Sequence, residues 1–319
     1  MIKVSAPGKI HFLGEHAIVF GKPAILAAIN LRCVVSLNPN KTGKIKTFSR
    51  QLVKGKERFD AIDIAVSETF KFLKKPKALG FNLQLDSKIP VGCGLGSSAA
   101  VSVSVIGALF LLLGEKFDKK KINQIAYLTE QKIHGFPSGG DNSTATYGGL
   151  VWYRKEAEDL KIIEPLPFLL AKNLARNFVL IDTGRPKETT GEMVAGVRKL
   201  FGKRPQWTEK IFNDQEKLVK KLLSALKENN ERLVMETIRL GERNLEKIGV
   251  VGNFSHDLIR QVESLGGVAK ICGAGGDKDR SGILLAYHVK PELLVALTKK
   301  LNLNSYVVAL GEEGVRQDG

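Results

Sequence analysis

The chain has 319 residues, 43% of them hydrophobic and 26% charged, which is the usage of an ordinary globular protein with room for two domains. Its 49 Lys+Arg against 33 Asp+Glu leave a net charge of +16, a balance that suits small phosphorylated ligands, nucleic acid or an anionic membrane surface. The lysines are dispersed in short clusters, as at Lys74-Lys75, Lys119-Lys120-Lys121 and Lys299-Lys300. They show no aromatic interleaving and no nucleic-acid motif, so a solvated basic surface is the preferred reading and no nucleic-acid partner is expected.

Met1 leads directly into the apolar strand Ile2 to Ser5, with no secretory signal in view. Ala24 to Val35 is rich in β-formers, and Phe59 to Leu73 has helical spacing. Phe81-x-Leu83-x-Leu85 alternates with polar residues as a half-buried strand does. Ser97 to Leu113 reads as one helix, and its apolar run from Ala99 falls about five residues short of a membrane span. With Ser102, Ser104 and Gly107 inside it, that run is a buried helix, and no membrane partner is expected.

Asp118 is placed to cap a second helix running towards Ile133, and Gly148 to Tyr153 resumes a strand. Beyond the Pro- and Leu-rich stretch Pro165 to Leu170, Phe178 to Asp182 opens a second unit. That unit carries the long amphipathic helices Glu209 to Leu226 and Glu231 to Ile248, then strands at Val268 to Cys272 and Gly282 to Tyr287. Two α/β domains meeting at a cleft, residues 1–174 and 175–319, are the simplest arrangement.

Cys33, Cys93 and Cys272 are odd in number and form no C-x-x-C pair, which implies neither a disulfide framework nor a zinc site. Reduced thiols and a cytoplasmic location follow as expectations. Cys93 lies in a glycine-rich loop, where a small space-filling role is preferred to that of a reactive thiol.

That loop, Ile89-Pro-Val-Gly-Cys-Gly-Leu-Gly-Ser-Ser-Ala-Ala100, joins a turn of Gly92, Gly94 and Gly96 to the first turn of an apolar helix. Backbone amides of such a turn can surround one anion, and the helix adds its positive end. The segment is either a phosphate cradle or a plain turn between strand and helix. No G-x-x-x-x-G-K-[ST] occurs in the chain, and the unbroken helix after the loop leaves no second strand to place Glu115 as a dinucleotide-binding acid.

Three other segments combine charge with glycine turns. They are Ala6-Pro-Gly-Lys9 through Gly14-Glu15-His16 to Gly21, Glu130 through His134-Gly-Phe-Pro-Ser138-Gly-Gly-Asp141-Asn142, and Lys270-Ile-Cys-Gly273-Ala-Gly275-Gly276-Asp277.

Together with the loop, these segments resemble the motifs of the GHMP kinases, small-molecule kinases that include galactokinase, homoserine kinase and mevalonate kinase. The order P-G-K…G-E-H-A-x-V-x-G, P-x-G-x-G-L-G-S-S-A-A, E…H-G-x-P-S-G-x-D-N and G-A-G-G is most similar to the mevalonate kinases, and it runs from about Ile2 to His288. Galactokinases usually follow G-E-H with Thr-Asp-Tyr, where Ala17-Ile-Val stands here. The resemblance implies an α+β fold: an α/β N-terminal domain that binds ATP, a ferredoxin-like C-terminal domain, and the active site between them. It also implies transfer of a phosphoryl group from ATP to the primary alcohol of mevalonate. Family members are often dimers, so a homodimer is carried as an expectation.

Carried over residue by residue, the resemblance implies that Pro90, Gly92, Gly94, Leu95, Gly96, Ser97 and Ser98, with Gly273, Gly275 and Gly276, hold the nucleotide. It implies Mg²⁺ on Ser98 and Glu130, two hard oxygen donors of the kind that ion takes alongside water and phosphate. Asp141, with Lys9 beside it, is the group expected to face the substrate hydroxyl, as a base or as an orienting group. Glu15, His16 and Thr183 match substrate-side positions, His134 is expected to shape its loop, His256 and His288 are read as structural, and His11 is undecided.

Two stretches depart from the family pattern. Asp277-Lys278-Asp279-Arg280-Ser281 stands where further glycines and a small residue are usual, so a longer lid over the phosphates or an altered nucleotide affinity is expected. Gly140 stands where a bulkier apolar residue is common, which is expected to loosen the catalytic loop. A related kinase acting on phosphomevalonate or a sugar is the first alternative, and a non-catalytic nucleotide- or nucleic-acid-binding relative the second.

Overall fold

β-Branched and apolar residues in long runs make the first half of the chain a sheet. In this computed structural model, which describes residues 1–49, 56–76, 79–135, 137–157 and 160–318, strand β1 spans Ile2–Leu13 and β2 spans Ala24–Asn40. Side chains of residues 56–59 lie outside the described set, as does Phe136 of the mid-chain motif. β1 runs well past Ser5, so Pro7-Gly8-Lys9 is a bulge inside a strand, with the register against β2 shifting between Pro7 and Gly8.

β3 (Ile45–Ser49), α1 (Lys56–Phe72) and β4 (Gly80–Ser87) follow, and β3 pairs parallel to β4. Next come α2 (Ser97–Leu112), α3 (Lys119–His134), α4 (Gly140–Tyr147) and the hairpin β5 (Leu150–Lys155) with β6 (Lys161–Pro165). The sheet order is β11-β1-β2-β4-β3, where β11 is Arg316–Gln317, with β5 pairing the first residues of β2. α2 is apolar on every side and buried from Ala99 to Phe110, packed on β1 and β2 and flanked by α1 and α3. Asp118 caps α3 as expected, accepting from the amides of Lys120 and Lys121.

After α5 (Lys172–Ala175), the second half builds a four-stranded antiparallel sheet in the order β10-β7-β9-β8. Its strands are β7 (Phe178–Asp182), β8 (Val268–Ile271), β9 (Ile283–Tyr287) and β10 (Asn304–Val308). α6 (Thr190–Lys203), α7 (Pro205–Lys227), α8 (Glu231–Lys247), α9 (Asn253–Ser264) and α10 (Pro291–Lys300) accompany it. The fold class is α+β, as expected.

The chain then returns to its beginning. β11 (Arg316–Gln317) pairs with β1, and the buried Arg32 of β2 donates to the carbonyls of Ser5, Glu313 and Gly314 at 3.0, 2.6 and 2.8 Å. Those acceptors satisfy a guanidinium that burial would otherwise penalise.

Candidate active site

The loop between β4 and α2 folds back onto β1: the amide of Lys9 donates to the carbonyl of Leu95 at 2.9 Å. Gly92, Gly94 and Gly96 have φ of 72, 70 and 70°, the left-handed region that glycine enters without strain. At Gly92 and Gly94 a Cβ would meet nothing within 4 Å, so their lack of a side chain serves conformation and leaves the loop face open to a ligand. No side chain caps α2, and its first residues Ser97, Ser98 and Ala99 line the cavity beside the loop.

Lys9 and His11 stand two residues apart on one face of β1 and line the cleft behind the loop. Lys9 Nζ lies 3.2 Å from Oδ1 of Asp141, a residue of the first turn of α4. Lys9 is 5% exposed overall while the Asp141 side chain is 35% exposed, so the ammonium is buried and the carboxylate opens onto the cavities. Ser98 Oγ donates to Glu130 Oε1 at 2.8 Å. Burial pushes the Glu130 carboxyl above its ordinary value; the Ser98 hydrogen bond opposes the shift and Asp141 adds to it.

Two cavities, of about 820 and 1270 Å³, meet at this point. Val91, Gly92, Gly94, Pro137, Ser138 and Asp141 line both. Pro90, Leu95, Gly96, Ser97, Ser98 and Glu130 line the smaller one alone, while Lys9, His16, Gly273 and Gly275 line the larger. A donor bound along the loop and an acceptor in the larger cleft would therefore face each other across Asp141. Among the described residues no group of three or more His, Cys, Asp or Glu gathers as a metal site. Ser98 and Glu130 offer only two hard oxygens, a set that fits an ion completed by phosphate and water.

Residues 63–149 match the family model of the GHMP kinases N terminal domain. The mevalonate kinase of Pyrococcus horikoshii is 32% identical over 305 residues, covering 86% of this chain and 86% of its own length. That of Archaeoglobus fulgidus is 34% identical over 272 residues, 85% of this chain and 88% of its own. The chain belongs to the mevalonate kinase family of GHMP kinases. The crystal structure of L. major mevalonate kinase in complex with R-mevalonate has a TM-score of 0.81 at 22% identity, covering 98% of this chain and 97% of that one. This mevalonate kinase-like fold thus extends over nearly the whole chain.

Of the positions carried over from the family, Glu15 lines the larger cavity from deep within its wall. It is 2% exposed and bound to the ammonium of Lys270, itself fully buried. Lys270 also donates to the carbonyl of Ile271 at 2.5 Å, and His11 and Glu242 stand close by. Burial alone would pull the Lys270 ammonium down, but Glu15, Cys272 and Glu242 hold it above its ordinary value. Burial raises the Glu242 carboxyl to about 8 and the Cys272 thiol to about 11. His11 is held neutral by burial and by the charges of Lys9 and Lys270. This charged cluster lay hidden in the sequence, where Lys270 reads only as the residue before a glycine loop.

His16 lines the cleft and its Nε2 lies 3.0 Å from the carbonyl of Ala274, fixing the G-E-H turn to the second glycine loop. Thr183 is fully buried: its hydroxyl donates to the carbonyl of Gly282 at 2.7 Å, and its neighbours Asp182 and Gly184 line the cleft instead. Gly276 also stands back from the cleft, because a Cβ there would sit 2.5 Å from the Arg280 carbonyl. Its role is close packing.

The two departures from the family pattern read differently in three dimensions. Residues 277–280 turn away from the cleft and dock on the start of α9, where the Asp279 carbonyl accepts from the amides of Phe254 and Ser255 at 3.1 and 3.4 Å. They form no lid. Gly140 is tightly packed, since a Cβ there would lie 2.6 Å from Leu26 Cδ1. Leu26 fills the space that a larger residue at 140 would take, so the catalytic loop is not loosened. Gly140→Val should cost about 1 to 3 kcal/mol in denaturant unfolding through overpacking, and Leu26→Ala in the same chain should restore part of it. An unchanged midpoint for Gly140→Val would show the space to be free.

Proposed function

We propose that this chain transfers the terminal phosphoryl group of ATP to the primary alcohol of mevalonate, giving 5-phosphomevalonate for isoprenoid synthesis. The observation that carries the reading is the junction of two cavities at the Lys9–Asp141 pair, beside a loop of left-handed glycines at a helix start. Relatives at or above 30% identity that carry the name mevalonate kinase support the choice of substrate.

Phosphoryl transfer needs positioning and charge neutralisation more than covalent chemistry. The amides of the loop and of the first turn of α2 receive the phosphates, with Gly273 and Gly275 facing them across the cleft. Asp141 accepts the hydroxyl proton or orients the hydroxyl, and Lys9 favours negative charge on the attacking oxygen. The new bond joins that oxygen to the terminal phosphorus as the bond to the bridging oxygen breaks, and ADP leaves. Mg²⁺ held by Ser98 and Glu130 would neutralise charge on the phosphates. Lys155, Lys161, Arg185, Lys187 and Arg198 line the acceptor cleft and give it a field suited to a carboxylate.

Four further expectations belong to the same reading. They are a division into residues 1–174 and 175–319, a homodimer, a cytoplasmic location, and the absence of nucleic-acid and membrane partners. Among the described residues no helix is long and apolar enough to cross a membrane.

ADP release measured with mevalonate, phosphomevalonate, galactose and homoserine in turn tests the substrate. Turnover on mevalonate is expected; turnover confined to another of the four would overturn the assignment.

A further inference from the structure

The segment between β7 and α6 is anchored firmly at both ends. Upstream, the Gly184 amide donates to Asp182 Oδ1 at 2.8 Å. Downstream, Thr189 and Glu192 form a reciprocal cap on α6, with the Thr189 amide donating to Glu192 Oε2 at 2.7 Å. Between the anchors, Arg185 and Lys187 line the acceptor cleft, exposed and without an ion-pair partner among the described residues.

The middle of the segment is held by the charged turn that departs from the family's glycines. Arg280 donates to the carbonyl of Thr183, lies with its guanidinium carbon 4.7 Å from the ring centre of Phe254 in α9, and passes over Gly184, where a Cβ would be 3.0 Å from its Cδ. Lys278 Nζ lies 3.3 Å from Oε1 of Glu188, whose side chain is 10% exposed. Beneath, Gly276 lets Pro186 and Glu188 lie flat, because a Cβ there would stand 3.0 Å from Pro186 Cβ and 3.1 Å from Glu188 Oε2.

We infer that the turn Asp277–Arg280 is a clamp: Arg280 and Lys278 are positioning residues that fix the segment 184–189, and so set where Arg185 and Lys187 stand for the carboxylate of the acceptor. This rests on the proposed reading of the cleft as a site for a carboxylate-bearing alcohol. Residues 277–280 and 184–189 are absent from the lining of the smaller cavity, where the loop Gly92–Ser98 would hold the nucleotide, so the effect should fall chiefly on the acceptor. Rigid placement of two cations is worth more than their mere presence, because a free loop must be ordered each time substrate binds.

Steady-state kinetics on the full-length protein read the clamp directly. Arg280→Ala should raise KM for mevalonate about tenfold, the loss expected when a charge-assisted bond that orders a binding segment is removed. KM for ATP and kcat should change by less than about twofold. Lys278→Glu, on an exposed side chain that folding does not depend on, should raise KM for mevalonate about threefold, as an ion pair near the surface allows. Adding Glu188→Lys to Lys278→Glu should bring KM back. A KM for mevalonate that stays flat in both single variants, or a swap that restores nothing, overturns the clamp. Wild-type turnover in the same assay separates the two readings: without it the proposed function fails, and with it a flat KM sinks the clamp alone.

Discussion

Asp141→Asn should lower kcat by about 10²- to 10⁴-fold while leaving KM for ATP nearly unchanged. The expectation follows from place and charge together. Asp141 lies in the lining of both cavities, and its Oδ1 is 3.2 Å from the Lys9 ammonium. The Asn side chain keeps the shape but removes the charge and the capacity to take a proton. The other acid nearby, Glu130, is engaged by Ser98 and lines only the smaller cavity, so it cannot substitute from where it stands. Rapid quench with mevalonate and ATP reads the chemical step, and turnover within a few-fold of wild type would remove Asp141 from the mechanism.

Lys270→Met should destabilise the fold by about 3 to 5 kcal/mol, because breaking a buried ion pair strands the remaining charge. Glu15 is 2% exposed, its second carboxylate oxygen already has no hydrogen-bond partner, and Glu242 has one unpartnered oxygen as well. Taking away the ammonium strands the Glu15 carboxylate in the buried cluster beside Glu242, whose carboxyl burial already raises to about 8. Equilibrium unfolding in urea measures the loss, and adding Glu15→Gln should recover a large part by removing the stranded charge. A loss below about 1 kcal/mol would show that water reaches the cluster and that the pair does not tie the G-E-H turn to β8.

Much of the architecture could be read along the chain where period and composition agree. α2 is apolar all round, Asp118 announces the start of α3, and Phe81, Leu83 and Leu85 alternate as β4 does. The glycine loop and the acid and lysine that meet beside it were legible through the family resemblance of their motifs taken in order, since each segment alone stayed ambiguous. What escaped depends on partners distant in sequence. Pro7-Gly8 looks like a turn, yet tertiary pairing with β2 turns it into a bulge that carries Lys9 to the cleft.

β11 is two residues long and exists only because β1 is there to receive it. Glu15 lines the cleft as its motif suggests, but its ion pair with Lys270, 255 positions away, could not be read along the chain. Thr183 looks available on a strand end, but the Gly282 carbonyl takes its hydroxyl. Gly140 and the turn Asp277–Arg280 gain meaning only from Leu26 and from the segment they hold.

The central claim is that donor and acceptor occupy two cavities that join at Asp141. A crystal of the protein grown with a non-hydrolysable ATP analogue, magnesium and mevalonate tests it in one measurement. The account predicts the terminal phosphate on the amides between Gly92 and Ser98, with the primary hydroxyl of mevalonate within hydrogen-bond reach of Asp141 and Lys9. A nucleotide bound away from the loop, or a mevalonate hydroxyl turned from that pair, would contradict it.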